Sequence, residues 1–155
     1  MELAEIGKNI LINCMNVKPG ENVLIVTDDE KYAIGQALYQ AAKLLKAEAM
    51  LMTMPAREVS GQEPPAVVAA AMKAADVVIC PMKTSITHTR AKIEAAEAGA
   101  RIATMPGITE EMFAMGAMTA DYSRVMALTE QVTDLLTNAN TARIEKDGHV
   151  LTLDL

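Results

Sequence analysis

Polar side chains follow two apolar, strand-like segments of the sequence, at the point where each segment ends. Thr27, Asp28 and Asp29 stand at the end of the first segment, 22–27, and directly after it. The second segment, 76–82, is followed by a lysine, three hydroxyl side chains and a histidine: Lys83, Thr84, Ser85, Thr87 and His88. Hydroxyl and backbone N–H groups at the start of a helix bind anions, and a lysine adds positive charge. These eight residues are the candidate cleft or ligand-binding residues.

His88 has the widest range of chemistry in this group, because an imidazole exchanges protons near neutral pH. A helix that begins near Ser85 would place its positive end beside the ring and favour the neutral form. A catalytic Ser/His pair also needs a third group that orients the imidazole, and the sequence offers no candidate for it. We therefore predict no catalytic residue in this chain, and His88 is expected to line a cleft.

Helix capping explains several of the same residues without any ligand. Asp28, Asp29, Thr84 and Ser85 are all residue types that cap helices, an interaction worth about 1 kcal/mol each. His88 has a similar alternative, as a histidine that packs against neighbouring groups. The sequence leaves both alternatives open.

Motifs for metals and nucleotides are missing from the sequence. The chain contains two histidines, His88 and His149, and no HExxH or CxxC motif, so no metal site is predicted. The segment TDDEKYAIG at 27–35 has neither a GxGxxG fingerprint nor a P-loop. Dinucleotide binding and P-loop chemistry are therefore disfavoured.

Strand-like and helix-like patterns alternate over the first two thirds of the chain. Short apolar runs predict strands at 22–27, 48–54, 76–81 and 101–105. Apolar residues three and four apart predict helices at about 30–46, 64–75 and 85–99, with Pro64 and Pro65 in the first turn of the second one. This order predicts an α/β fold: three layers, with a mostly parallel, Rossmann-like or flavodoxin-like sheet and helices on both faces.

The last third of the sequence has a different pattern. Helices are predicted near 109–115 and 120–138, and Asp147-Gly148 predicts a β-hairpin over 142–154. We expect an α/β domain at 1–140, with 141–155 forming either a sheet edge or the start of a further domain. The chain then reads as part of a longer protein.

Composition excludes several classes of protein. A net charge of −6 offers no basic surface for nucleic acid, and no apolar run approaches the roughly 20 residues of a membrane span. Cys14 and Cys80 lie in apolar segments and are predicted to be buried free thiols. A cytoplasmic location is expected, and the oligomeric state, including a homodimer, stays open.

Four segments of the chain resemble one known family, the thermophilic metalloproteases, whose members include leucyl aminopeptidase and aminopeptidase T. They are VKPGENVLIVTDDEKYAIGQAL, SITHTRAKIEAAEAGARIATMPGITEEMF, the Asp121-Tyr122 pair and ARIEKDGHVLTLDL. The resemblance implies the amino-terminal, non-metal-binding domain of a metallo-aminopeptidase. The implied partners are a peptide substrate and a carboxyl-terminal catalytic domain that holds zinc- or cobalt-type divalent metal ions. By itself, this chain is then expected to be inactive.

Two alternatives remain at this point. A ring-cleaving dihydroxypyridine dioxygenase shares the same scaffold, so a domain of a related dioxygenase is one alternative to the aminopeptidase. A stand-alone module that binds a small anion or another small molecule in the crevice near Asp28 and Ser85 is the alternative from a different class.

Overall fold

The structure is a computed structural model, and it describes residues 3–155. The α-helices are α1 (Leu3–Asn13), α2 (Tyr32–Leu44), α3 (Ala66–Ala74), α4 (Arg90–Glu97), α5 (Glu110–Ala114) and α6 (Tyr122–Asn138), with a 3₁₀ turn at Gly116–Thr119. The strands are β1 (Asn22–Asp28), β2 (Glu48–Met54), β3 (Val77–Met82), β4 (Arg101–Pro106), β5 (Thr141–Lys146) and β6 (His149–Asp154).

The first four strands form a parallel sheet in the order β2-β1-β3-β4. In this order the connections reverse direction between β1 and β3, as in flavodoxin-like folds. The last two strands pair antiparallel as a separate hairpin. The predicted α/β fold, with its parallel sheet and carboxyl-terminal hairpin, is confirmed.

Successive side chains of the central strands enter two different cores, because strand side chains alternate between the faces of a sheet. Val23 and Ile25 of β1 pack in one core with α1, α2 and α5. Leu24 and Val26 pack in the other core with α3 and α4. The central strands β1 and β3 are buried on both faces, which explains their unbroken apolar sequences.

Gly35 allows α2 to lie close to the end of β1. A Cβ atom at this glycine would stand 2.9 Å from both Cβ and Cγ2 of Thr27. Real Cβ atoms do not approach this closely, so any side chain at position 35 would push α2 away from the sheet. Thr27 in turn donates its hydroxyl to the carbonyl oxygen of Pro81 at 2.9 Å, which joins β1 to β3.

Two predictions about local structure are wrong. Helix α4 begins at Arg90, with Thr89 as its N-cap, and not near Ser85. Thr89, and not Ser85 or Thr84, is the N-cap. Its side chain is buried, and its hydroxyl oxygen accepts the backbone N–H of Lys92 in the first turn of the helix. Cys14 is exposed, because α1 ends at Asn13 and the cysteine lies in the turn that follows; Cys80 is buried as predicted.

The chain divides into two compact units, residues 1–119 and 120–155. The second unit contains α6 and the hairpin, whereas the sequence prediction had placed that helix with the α/β domain. No residue of 120–155 is buried, and the apolar side chains of α6 are exposed. Residues 3–155 include no helix that is long and apolar enough to cross a membrane.

Candidate functional site

The carboxyl ends of β1 and β3 meet at Asp28, the last residue of β1. Its side chain is fully buried. One carboxylate oxygen, Oδ1, accepts the backbone N–H groups of Glu30 and Lys31, both at 3.1 Å. The other, Oδ2, accepts the backbone N–H of Lys83 at 2.6 Å. Asp28 therefore joins the loops that follow the two central strands, and it is not exposed to a ligand.

Lys83 is engaged with an acidic residue of the neighbouring loop. Its ammonium group lies 2.6 Å from a carboxylate oxygen of Glu30, and both side chains are about half exposed, 51% and 49%. The hydrogen bond that Lys83 donates to Glu30, and then the charge of that carboxylate, raise the pKa of Lys83. Because both side chains are partly exposed, water screens the attraction between their charges, and the pair adds little to stability. Lys83 was predicted to attract an anionic ligand, but its ammonium group is already paired with the carboxylate of Glu30.

Hydroxyl groups connect the loop after β3 to β4. The Ser85 hydroxyl donates to the Thr87 hydroxyl at 2.8 Å, and Thr87 Oγ1 lies 2.9 Å from Thr104 Oγ1. The backbone N–H of Ser85 donates to the Ser60 hydroxyl at 3.2 Å, which adds the loop after β2. Ser85 and Thr87 thus fix the path of their own loop, and neither caps α4.

The amino-terminal end of α4 is already occupied by a carboxylate. Glu63 accepts the backbone N–H groups of Arg90 at 2.6 Å and Ala91 at 3.2 Å. Thr89 accepts the next one, from Lys92. The helix end predicted to hold an anion therefore has its free N–H groups satisfied by the protein.

Three predicted residues remain without such a role. Asp29 and His88 are exposed, and no hydrogen bond from either side chain is present in the described part of the chain. The hydroxyl oxygen of Thr84 is buried, and within residues 3–155 it has no hydrogen-bond partner. These groups stand near the carboxyl ends of β1 and β3, the edge where parallel sheets bind ligands.

A cleft of about 240 Å³ opens at the same edge of the sheet. Its charged side chains are Glu30, Lys31 and Glu110, and Ile34 and Ile108 supply apolar surface. Pockets for drug-sized ligands measure about 300–1,000 Å³, so this one suits a smaller molecule. Sequence reasoning missed the cleft, because its residues come from loops that follow two strands, β1 and β4, separated in the sheet by β3.

Metal ligands do not converge within the part of the chain that the structure describes, residues 3–155. Among residues 3–155, no three His, Cys, Asp or Glu side chains lie together as a group that could hold a metal ion. Non-haem iron oxygenases use two histidines and one carboxylate. His88 and His149, the two histidines of the sequence, lie in different compact units. The residues described here do not form that ligand set.

Comparison with known proteins identifies the family. A family model described as NicX, 2,5-dihydroxypyridine 5,6-dioxygenase, matches residues 2–155. The chain belongs to this dioxygenase family. A solved 2,5-dihydroxypyridine dioxygenase from Pseudomonas putida KT2440 has a similar structure, with a TM-score of 0.69 and 19% sequence identity. At this identity the likeness establishes the fold. No curated protein sequence matches the chain.

The alignment with the solved dioxygenase covers 99% of this chain and 47% of the other, so this chain spans about half of the length of that enzyme. The family match overturns the resemblance to thermophilic metalloproteases. The predictions that depended on this resemblance are therefore wrong: the metallo-aminopeptidase activity, the peptide substrate and the peptidase catalytic domain. Membership in a dioxygenase family implies a metal cofactor, and the zinc or cobalt expected for a peptidase loses its support.

Proposed function

We propose that this chain is one domain of a longer enzyme that opens the ring of a dihydroxylated pyridine with O₂. The observation that carries the proposal is the family match over residues 2–155. The length of the solved relative supports the one-domain part, because this chain covers 47% of it. In this proposal the metal, of the iron type, is held by residues outside this chain, and the chain itself binds and orients the ring.

The carboxyl edge of the parallel sheet is the proposed wall of the substrate cleft. Ligands of open parallel sheets bind at this edge, where the connections reverse. His88 is exposed there and makes no hydrogen bond within residues 3–155, so its imidazole is free to bond a ring hydroxyl. An imidazole also takes up and releases protons near neutral pH, which suits a hydroxylated ring that loses a proton.

The complete product of the gene that encodes this chain provides the test. The protein is loaded with Fe(II) without oxygen and mixed with 2,5-dihydroxypyridine and O₂. We expect the ultraviolet absorbance of the ring to disappear as one O₂ is consumed per ring, with both atoms of ¹⁸O₂ recovered in the product. Leucine p-nitroanilide serves as the peptidase control and should not be hydrolysed. A metal-loaded protein that leaves the ring intact would contradict the proposal.

A further inference from the structure

Asp28 is a buried carboxylate whose hydrogen bonds all go to the backbone. Its side chain is completely inaccessible, and its partners are the N–H groups of Glu30, Lys31 and Lys83. A buried charge without partners is costly, and hydrogen bonds to a charged group are among the strongest in proteins. A carboxylate offers about four acceptor positions, and three of them are used here. Asp28 is therefore built into the fold, and a ligand does not reach it.

The bond to Lys83 fixes the first residue of the loop that carries His88. Lys83 directly follows β3, which ends at Met82. The far end of the loop is fixed as well, because Ile86 is buried in the core and Thr89 caps α4. His88 lies between these anchored points and is itself exposed. The backbone position from which the His88 side chain projects is thus set by the path from Lys83 to Thr89.

The same carboxylate fixes the loop after β1. Its Oδ1 atom holds the turn that leads into α2, which begins at Tyr32. Glu30 and Lys31 of this turn line the cleft of about 240 Å³. One buried side chain thus sets the relative position of the two loops that follow β1 and β3.

We propose that Asp28 is a positioning residue: it holds the loop at 83–88 in the place from which His88 reaches the substrate, without touching the substrate itself. This inference rests on the proposed function of the carboxyl edge. It replaces the expectation that Asp28 is a ligand-binding residue.

The test compares Asp28→Asn with Asp76→Asn in the complete gene product. Asparagine keeps the shape of the side chain, but one of its two terminal groups is a donor, so either Lys83 or the turn at Glu30 loses its acceptor. Asp76 is the matched control, because it also joins β1 to β3, through the backbone N–H of Asn22 at 2.8 Å, at the opposite edge of the sheet. Hydrogen exchange of the peptide at 83–89 and kcat/KM for ring opening are measured in both.

We expect Asp28→Asn to speed exchange at 83–89 by about 10-fold or more and to lower kcat/KM by about 10-fold, the scale of one lost hydrogen bond. Asp76→Asn should change neither. In the double variant Asp28→Asn/His88→Ala, kcat/KM should equal that of His88→Ala alone, because residues that act through one another are not additive. Additive losses, or unchanged exchange at 83–89, would overturn the inference.

Two further measurements separate the possible failures. If the wild-type protein does not open the ring, the proposed function fails, while hydrogen exchange still decides whether Asp28 holds the loop. If Asp28→Asn does not fold, Lys83→Pro removes the same N–H donor, and Lys83→Ala is its control because it keeps that donor. Equal exchange at 84–89 in these two variants would again overturn the inference.

Discussion

At both edges of the parallel sheet, an aspartate carboxylate accepts a backbone N–H group and links β1 to β3, but the surroundings of the two carboxylates differ. At the amino edge, the carboxylate of Asp76 accepts the backbone N–H of Asn22 at 2.8 Å and its side-chain amide at 3.1 Å. At the carboxyl edge, the carboxylate of Asp28 accepts the backbone N–H of Lys83 at 2.6 Å. Each carboxylate joins β1 to β3. Asp76 is exposed, whereas Asp28 is fully buried.

The surrounding groups differ more than the two carboxylates do. At the amino edge, Arg101 bonds Glu21 at 2.7 Å and the carbonyl oxygen of Met15 at 3.0 Å, so the protein's own groups satisfy one another. At the carboxyl edge, His88 and the Thr84 hydroxyl have no hydrogen-bond partner within residues 3–155. Polar groups at the amino edge thus pair with one another, whereas two polar groups at the carboxyl edge stay unpaired in the described part of the chain, as the proposed cleft wall requires.

The largest effect on stability is expected where α2 meets the carboxyl end of β1. In Gly35→Ala the new Cβ would lie 2.9 Å from the Thr27 side chain. We expect the free energy of unfolding to fall by about 1–2 kcal/mol, because crowding outweighs the better helix propensity of alanine. The control is Gly7→Ala, whose nearest contact is 3.1 Å to Ala41 Cβ. Denaturant unfolding of both variants checks this, and an unchanged Gly35→Ala would contradict it.

The next effect concerns the free imidazole of the carboxyl edge. His88→Ala in the complete gene product should lower kcat/KM for ring opening by about 10-fold, since a hydrogen bond to the substrate is lost. Lys73→Ala is the control, because Lys73 is exposed in the last turn of α3, within the same compact unit. A rise in KM alone indicates that His88 contributes to binding, and a fall of about 100-fold or more in kcat indicates proton transfer. Unchanged kinetics would remove His88 from the site.

A third variant tests whether α4 is closed to anions by the protein. Glu63→Gln removes the charge that holds the N–H groups of Arg90 and Ala91. We expect the free energy of unfolding to fall by about 1 kcal/mol, as for a lost cap, and sulfate to restore part of it. Glu58→Gln, in the same loop, should have no effect. If sulfate stabilises the wild type as much as Glu63→Gln, the helix end is not closed.

The smallest effect is a weakening of the amino edge in acid. The hydrogen bond from Arg101 lowers the pKa of Glu21, and the hydrogen bonds from Asn22 lower the pKa of Asp76. A carboxyl group with a lowered folded pKa stabilises the fold above its unfolded pKa, 4.5 for Glu21, and this contribution is lost as the pH falls through the folded pKa.

Glu21→Gln should therefore melt at a lower temperature than wild type at pH 7, and the difference should shrink towards about pH 3. Glu97→Gln, on the exposed side of α4, is the control and should melt like wild type at both pH values. Thermal unfolding at the two pH values gives the measurement. A difference that persists unchanged in acid would show that the ion pair of Glu21 is not its source.

The strands were predictable because the signal is local. Val23, Val77 and their neighbours form short, unbroken apolar runs rich in β-branched residues, and such runs favour a strand buried on both faces. The start of α4 was not predictable, since Thr84, Ser85, Thr87 and Thr89 all carry suitable hydroxyl groups. Burial of Thr89 in the folded chain selects one of them.

The candidate site was half predictable for a similar reason. Sequence placed Thr27, Asp28 and the residues at 83–88 together, because parallel strands end at one edge. It did not reveal that Asp28 points inward, or that Glu63, 27 residues before Arg90, closes the end of α4. Those roles depend on contacts between loops that are distant in the chain.

Sequence alone thus determined the elements and the edge of the sheet at which polar groups gather. The order β2-β1-β3-β4, in which β1 pairs with β3 and brings Asp28 beside Lys83, is a property of the folded chain. Only the tertiary structure decided which polar groups form hydrogen bonds within the protein and which remain exposed. The physical reason is that a hydrogen bond needs a partner within about 3 Å, and Lys83, Ser85 and Arg90 find theirs on loops that are distant in the sequence.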